Sequence, residues 1–306
     1  MPDAARAVAS AAPSPRVAAT APGRDAGAAG IADANAEAWA RWPMPNANLP
    51  GLPNRHSYDT QTAGVVVDRV TGLMWQRRLP DQFLSWDKAQ RACKDLRLAG
   101  HDDWRLPSRI ELVSLLDTTR TQPSIDIDVF PLTPSDWFWT SSRAADDPNA
   151  AWYVYFYFGY PKTDDVTNSF SVRCVRSAQS GTALAPRYEM RAKEVRDIAT
   201  GLRWQRAAAT KPVKFEAARN YCSHLNLGGD KHWRVPTLGE LLTLIDERAP
   251  STPMIDRAAF PDTPAEAFWT SSTFANGTEL AWYVRFDHGN GLYGRLTELL
   301  RVRCVL

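Results

Sequence analysis

The stretch HDDWRLPSRIELVSLLD at residues 101–117 decides how this chain is read, because it returns as DKHWRVPTLGELLTLID at 230–246. Seven positions are identical: Trp104/Trp233, Arg105/Arg234, Pro107/Pro236, Glu111/Glu240, Leu112/Leu241, Leu115/Leu244 and Asp117/Asp246. Ser108 and Thr237 stand where a helix N-cap would, each with a glutamate three residues on, which is the pattern of a capping box. A Trp-Arg-Leu/Val-Pro run thus leads into an amphipathic helix twice. The chain is a duplicated module.

The repetition extends outward from these helices. Upstream, GVVVD (64–68) and LMWQR (73–77) read as two strands joined by a turn, with EVRD (194–197) and LRWQR (202–206) as their counterparts. Gly72 and Gly201 fit a turn position that favours positive φ. Trp86, Ala89, Cys93 and Leu96 then fall on one helical face, matched by Phe215, Ala218, Cys222 and Leu225 at an offset of 129. Ser85 is the expected N-cap of that first helix. Downstream, Pro123-Ser-Ile-Asp126 faces Pro253-Met-Ile-Asp256 at an offset of 130, so one residue has been inserted near 249–253. FWTSS (138–142, 268–272), AWYVYF/AWYVRF (151–156, 281–286) and a closing VRCV (172–175, 302–305) complete each copy. Each module reads as a hairpin, two helices packed on short antiparallel sheets, an irregular region and further strands. The fold class is α+β, with modules at 58–178 and 187–306.

Composition narrows the function classes. A net charge of +2 over 306 residues carries no polyelectrolyte signature, so nucleic acid is not an expected partner. No apolar run approaches the length of a membrane span. Residues 1–57 are expected to be a disordered Ala/Pro-rich segment: 17 alanines occur in the first 40 residues, with Pro13, Pro15, Pro22 and several glycines interrupting any helix. The continuous apolar stretch of a secretory signal peptide is not visible there.

The four cysteines occupy equivalent places, Cys93 and Cys222 on the first helix, Cys174 and Cys304 in the closing strand. One pair per module points to disulfides Cys93–Cys174 and Cys222–Cys304, with four buried free thiols as the alternative. Zinc is not expected: there is no Cys-x-x-Cys, and the five histidines are placed differently in the two copies. No metal and no cofactor is expected.

TGLMWQR (71–77), WRLPS (104–108), FWTSS and VRCV together resemble the DUF1566, or Lcl C-terminal domain, family, in both copies. The resemblance implies a C-type-lectin-like fold, a bacterial surface or secreted setting, and adhesion to sulfated glycans. It also implies a bridge from first helix to last strand like that of C-type lectins, and hence an extracytoplasmic location. Two family traits do not carry over: the chain has no collagen-like Gly-X-Y region, and neither Glu-Pro-Asn nor Gln-Pro-Asp, the calcium motifs of sugar-binding C-type lectins.

No catalytic constellation recurs. The Arg-Leu-Pro-Ser-x-x-Glu run faintly resembles formylglycine-generating enzymes, but the cysteines are already paired by the repeat, and Gly-x-Ser-x-Gly is absent. Glu111 and Glu240 read as capping acids, Trp104, Pro107, Trp233 and Pro236 as fixed core, and Asp102 and Asp103 as solvent-facing loop. The copies part company on one face of the AWYVYF strand, where Tyr153, Tyr155 and Tyr157 oppose Tyr283, Arg285 and Asp287. The loops that follow, GYPKTDDVTNSFS (159–171) and GNGLYGRLTELLR (289–301), share little. A common scaffold with divergent Tyr- and Arg-bearing loops is a way to build a recognition surface. The candidate ligand-binding residues are therefore Tyr155, Tyr157 and Tyr160 in module 1, and Arg285, His288, Tyr293 and Arg295 in module 2. The leading expectation is a non-enzymatic exported binding or adhesion protein, with a glycan as the candidate partner. The alternatives are an enzyme on a formylglycine-generating-enzyme-like fold and a structural module of an envelope complex or appendage.

Overall fold

The computed structural model describes residues 40–80, 82–177 and 186–306. Module 1 runs β1 (Tyr58–Asp59), β2 (Val65–Asp68), β3 (Leu73–Gln76), α1 (Trp86–Lys94), α2 (Arg109–Val113), β4 (Trp137–Arg143), β5 (Ala150–Tyr155), β6 (Tyr160–Asp165) and β7 (Val175–Ser177). Module 2 repeats this as β8 (Tyr188–Met190), β9 (Glu194–Asp197), β10 (Arg203–Gln205), α3 (Phe215–Ser223), α4 (Leu238–Leu242), β11 (Ala267–Thr273), β12 (Leu280–Arg285) and β13 (Gly291–Arg295). Each module holds two antiparallel sheets: β1-β2-β3-β7 and β4-β5-β6 in the first, β8-β9-β10 and β11-β12-β13 in the second. The architecture is mixed α and β, as the sequence pattern implies, with helices shorter than the apolar runs suggested.

The opening motif earns its near-identity through local chemistry. Ser108 Oγ accepts from the Glu111 amide at 3.4 Å while Glu111 Oε2 accepts from the Ser108 amide at 2.8 Å, and Thr237 and Glu240 do the same at 3.2 and 2.9 Å. Each glutamate also takes both prongs of an arginine, Arg105 on Glu111 (2.7 and 2.6 Å) and Arg234 on Glu240 (2.7 Å each). The acids are buried and fully engaged, so they hold the helix start to the preceding arginine, which itself bridges the closing segment of its module at Val175 or Val305. Trp104 and Trp233 are buried beside the cysteines. Ser85 does sit at the N-cap of α1, but its side chain makes no capping hydrogen bond.

Both expected disulfides are present, Cys93–Cys174 and Cys222–Cys304, spanning 81 and 82 residues with Cα atoms 5.4 and 5.5 Å apart. Cys174 lies just before β7 rather than within it, and Cys304 precedes Val305, which bridges Trp204 and Arg234 without forming a named strand. Cross-linking a loop of this length stabilises by about 4–5 kcal/mol in the chain-entropy description. The Cys93→Ser/Cys174→Ser variant should therefore lose several kcal/mol in urea denaturation monitored by tryptophan fluorescence. An unchanged midpoint would show that the bridge constrains nothing the core does not already fix.

Residues 40–57 correct one expectation. Assigned to a disordered segment on composition, they instead pack on the modules, with Ala40, Trp42, Met44 and Asn46 buried, Met44 and Asn46 against module 2 and His56 against module 1. Asn46 completes the second capping box: its Oδ1 accepts from Thr237 Oγ1 at 2.7 Å and its Nδ2 reaches Glu240 Oε1 at 3.3 Å. Met44 explains a difference within the opening motif. A Cβ on Gly239, which stands where module 1 has Ile110, would lie 3.2 Å from Met44 Cγ, so the glycine makes room for this strap. The rest of the expected disordered segment, residues 1–39, lies outside the described residues.

The modules share one apolar core that draws Leu112, Phe156, Leu241 and Phe286, among others, into a single cluster. Across this seam Arg109, fully buried, donates through Nε to Glu247 Oε2 at 2.8 Å, and Ser142 Oγ donates to Glu247 Oε1 at 2.6 Å. Arg109 Nη2 also reaches the Ile245 carbonyl at 3.2 Å, and the guanidinium lies 5.4 Å from the Trp152 ring centroid. Burial pushes the Glu247 carboxyl up, against the opposing pull of Arg109. The equivalent positions in the other copy are Leu238 and Thr118, so this lock exists once.

A second asymmetry concerns a histidine. In module 2 the Arg187 guanidinium lies over the Tyr188 ring at 4.6 Å and donates to Asp197 Oδ2 at 2.9 Å and to the Thr243 carbonyl at 2.7 Å. In module 1 the His56 ring takes that place, stacked on Tyr58 at 5.6 Å with Nδ1 2.8 Å from the tyrosine hydroxyl. Burial lowers the His56 pKa below 6.5, although Asp68 and Asp117 pull it the other way. A base whose folded pKa is depressed stabilises the fold fully above 6.5, and that stability is lost as pH falls below 6.5 and the unfolded state takes up the proton. The melting temperature should fall from pH 7.5 to 5.5, and His56→Gln should flatten that decline. A parallel decline in the variant would assign it to other groups.

Candidate functional site

In β5 successive side chains alternate, and the face bearing Tyr153 and Tyr155 is covered only in part. Tyr153 is buried beneath Phe170, ring centroids 5.2 Å apart. One pleat further along, the cover ends. Tyr155 pairs across the sheet with Trp137, the first residue of β4, and their rings lie 5.2 Å apart and 17° from parallel. Tyr157 continues the row, stacked on Tyr155 at 5.7 Å and 20°. Trp137, Tyr155 and Tyr157 thus form a ladder of three near-parallel rings. Its outer rung stays open: Trp137 is 41% exposed although it is a tryptophan on a strand.

The ladder is braced at both ends. Phe170 lies 5.6 Å from Trp137 and stacks at 4.3 Å on the buried Trp139. At the other end Tyr157 meets Phe158 edge-on at 4.6 Å, and the middle ring, Tyr155, meets Phe158 and Tyr160 edge-on at 5.8 and 5.7 Å. Phe158 in turn packs on Phe274 and Tyr293 of module 2, at 5.9 and 5.8 Å. Backbone contacts fix the strand ends, with Phe156 N donating to the Asp136 carbonyl (2.9 Å) and Gln122 N donating to the Tyr157 carbonyl (2.9 Å). Partial burial, then Tyr157 and the Asp136 carboxylate, raise the Tyr155 hydroxyl above its ordinary pKa, so the ring presents a neutral phenol.

Module 2 has no such ladder. Its equivalent positions are Ala267, Arg285 and Asp287, and the last two form a two-pronged ion pair, with Nε to Oδ1 at 2.9 Å. That pairing brings the Asp287 carboxyl below its usual range, against the upward push of burial.

The structure divides the candidate residues into groups. Tyr155 and Tyr157 stand together in the ladder. Tyr160 turns into the seam, 6.3 Å from the Trp282 ring, where burial pushes its hydroxyl up to about 12. Tyr293 is also in the seam, stacked on Phe274 at 4.2 Å. Arg285 and His288 both face Asp287, the histidine at 3.6 Å, while Arg295 is exposed at the far end of β13. Trp137 was not among the sequence candidates. Its signal was present in the residue ahead of the matched Phe-Trp-Thr-Ser-Ser, tryptophan in one copy and alanine in the other.

A row of aromatic faces at strand spacing suits a flat ligand with polarised C–H groups, because the negative ring face attracts the positive edge of such bonds. Among the described residues no cluster of three or more His, Cys, Asp or Glu side chains could hold a metal, and no helix is long and apolar enough to cross a membrane. The sequence profile of the Lcl C-terminal domain matches residues 64–176 and again 193–306. None of the curated proteins compared with the chain matches it.

Proposed function

The chain belongs to the Lcl C-terminal domain family, and from that membership and the ladder we propose a non-enzymatic, surface-exposed protein that binds glycan. The observation that carries this reading is the partly exposed Trp137–Tyr155–Tyr157 row, present in one module and replaced in the other. The pyranose ring of a sugar offers a patch of C–H bonds that stacks on such rings, while its hydroxyls remain in water. Asp136, which sits at the ladder and contributes to the raised pKa of Tyr155, favours a neutral sugar over a sulfated one at this face. The extracytoplasmic setting is supported by two disulfides and by family membership. The C-type-lectin-like arrangement that the family implies is supported by the bridge from the first helix to the closing segment of each module.

Binding to a glycan array by the full chain tests this reading. Trp137→Ala should weaken the strongest array ligand at least tenfold, about 1.4 kcal/mol, with the melting temperature little changed because the ring is 41% exposed. Absence of any glycan ligand, or an unchanged affinity in the variant, would sink it.

A further inference from the structure

The seam between the modules has two related sides, and they are filled differently. On one, Trp282 is covered by Phe274 and Tyr293 of its own module, at 5.6 and 5.5 Å, and by Tyr160 of module 1, with Phe158 against the first two. On the other side the equivalent of Trp282 is Trp152. The four covering positions there are Ala144, Thr163, Asn290 and His288. Four aromatic rings have become one methyl, one hydroxyl, one amide and one imidazole. What remains is a cleft of about 290 Å³ over Trp152.

We propose that this cleft is a binding site for a single neutral pyranose ring, distinct from the ladder and not dependent on it. Its volume is at the small end of ligand pockets, which begin near about 300 Å³. Its walls carry no excess of one sign, because Lys162 stands with Asp146 and the Asp287 carboxylate is already paired with Arg285, so it selects no ion. Donors and acceptors are interspersed, as a ring of hydroxyls requires. Asn290 supplies a specific need: its Oδ1 is buried with no hydrogen-bond partner among the described residues, and a ligand hydroxyl would satisfy it. The rim carries a further mark of adaptation. The one-residue insertion that shifts the repeat offset falls in the 249–253 loop, and Pro250, Ser251 and Thr252 line the cleft. Gly289 brings the loop carrying His288 and Asn290 close to the floor: with φ at +68°, its Cβ position would lie 3.0 Å from Trp152 Cη2.

The test titrates the full chain with methyl β-galactoside, methyl α-mannoside and methyl β-glucoside, with glucuronate and glucosamine as charged controls, followed by saturation-transfer NMR. At least one neutral glycoside should bind saturably. Thr163→Tyr/Asn290→Tyr, which refills the cleft with the residues of the opposite side, should weaken it tenfold or more. Asn290→Leu, similar in size but without the amide, should do likewise should the refilled variant fold poorly. Trp137→Ala should leave this binding unchanged while losing the ladder ligand, which separates failure of this site from failure of the other. The proposal is overturned by absence of saturable binding of all three neutral glycosides, by binding of a charged sugar alone, by full affinity in Asn290→Leu, or by loss in Trp137→Ala.

Discussion

Glu247→Ala should cost about 3–5 kcal/mol of stability, because it strands the buried Arg109 guanidinium without its carboxylate. Both side chains are almost fully removed from water, 1% and 5% exposed, so solvent screening offers little relief. The carboxylate also takes the Ser142 hydroxyl, which would lose its acceptor. Replacing both partners is a different matter. Arg109→Leu/Glu247→Thr writes into each position the residue that the other copy carries there, and it removes the charge together with its counter-charge. The double variant should recover most of the loss, since a buried ion pair exchanged for neutral side chains is often close to neutral in stability. Urea denaturation of wild type, both single variants and the double variant gives the coupling energy directly. Additive losses would mean that the pair does not act as a unit across the seam.

A chain starting at residue 58 should lose at least as much. The family profile begins at residue 64, which invites that truncation. It would strip Trp42 and Met44 from the shared core and Asn46 from the second capping box. Deleting one buried tryptophan or methionine side chain alone costs about 2–5 kcal/mol, and domains of this kind hold about 5–15 kcal/mol in all. The truncated protein should therefore be partly unfolded or aggregated at 37 °C by circular dichroism and light scattering. Met44→Ala in the full chain should shift stability in the same direction by a fraction of that amount. A truncated chain with wild-type cooperativity would show the strap to be dispensable.

Much of the fold was legible because its determinants are local or repeated. The capping boxes, the helical faces of α1 and α3 and the pairing of four cysteines all follow from spacing within a module, checked by the second copy. The seam was not legible, although it left two marks in the opening motif itself. Arg109 opposite Leu238, and Ile110 opposite Gly239, look like drift until Glu247 and Met44 are in view, and those partners are remote in sequence. The strap failed on composition because a few apolar anchors in a Pro- and Ala-rich stretch suffice when a formed core receives them. At the candidate site, alternation correctly brought Tyr155 and Tyr157 to one face. It could not say that Tyr160 and Tyr293 are drawn into the seam, nor that Trp137 lies beside Tyr155, since that depends on the register between β4 and β5.

The bracing of the ladder bears on how it would engage a ligand. Tyr155 leans on Phe158, which is wedged against Phe274 and Tyr293, so the rings of module 1 are held in place by module 2. Such a face is preorganised: its rotamers are set before anything arrives, and little ordering entropy opposes association. Module 2 lacks a ladder of its own, yet through Phe274 and Tyr293 it would govern how tightly the first one held a ligand. A substitution at Phe274, on the other module, should act on affinity by loosening rings it never exposes to the ligand.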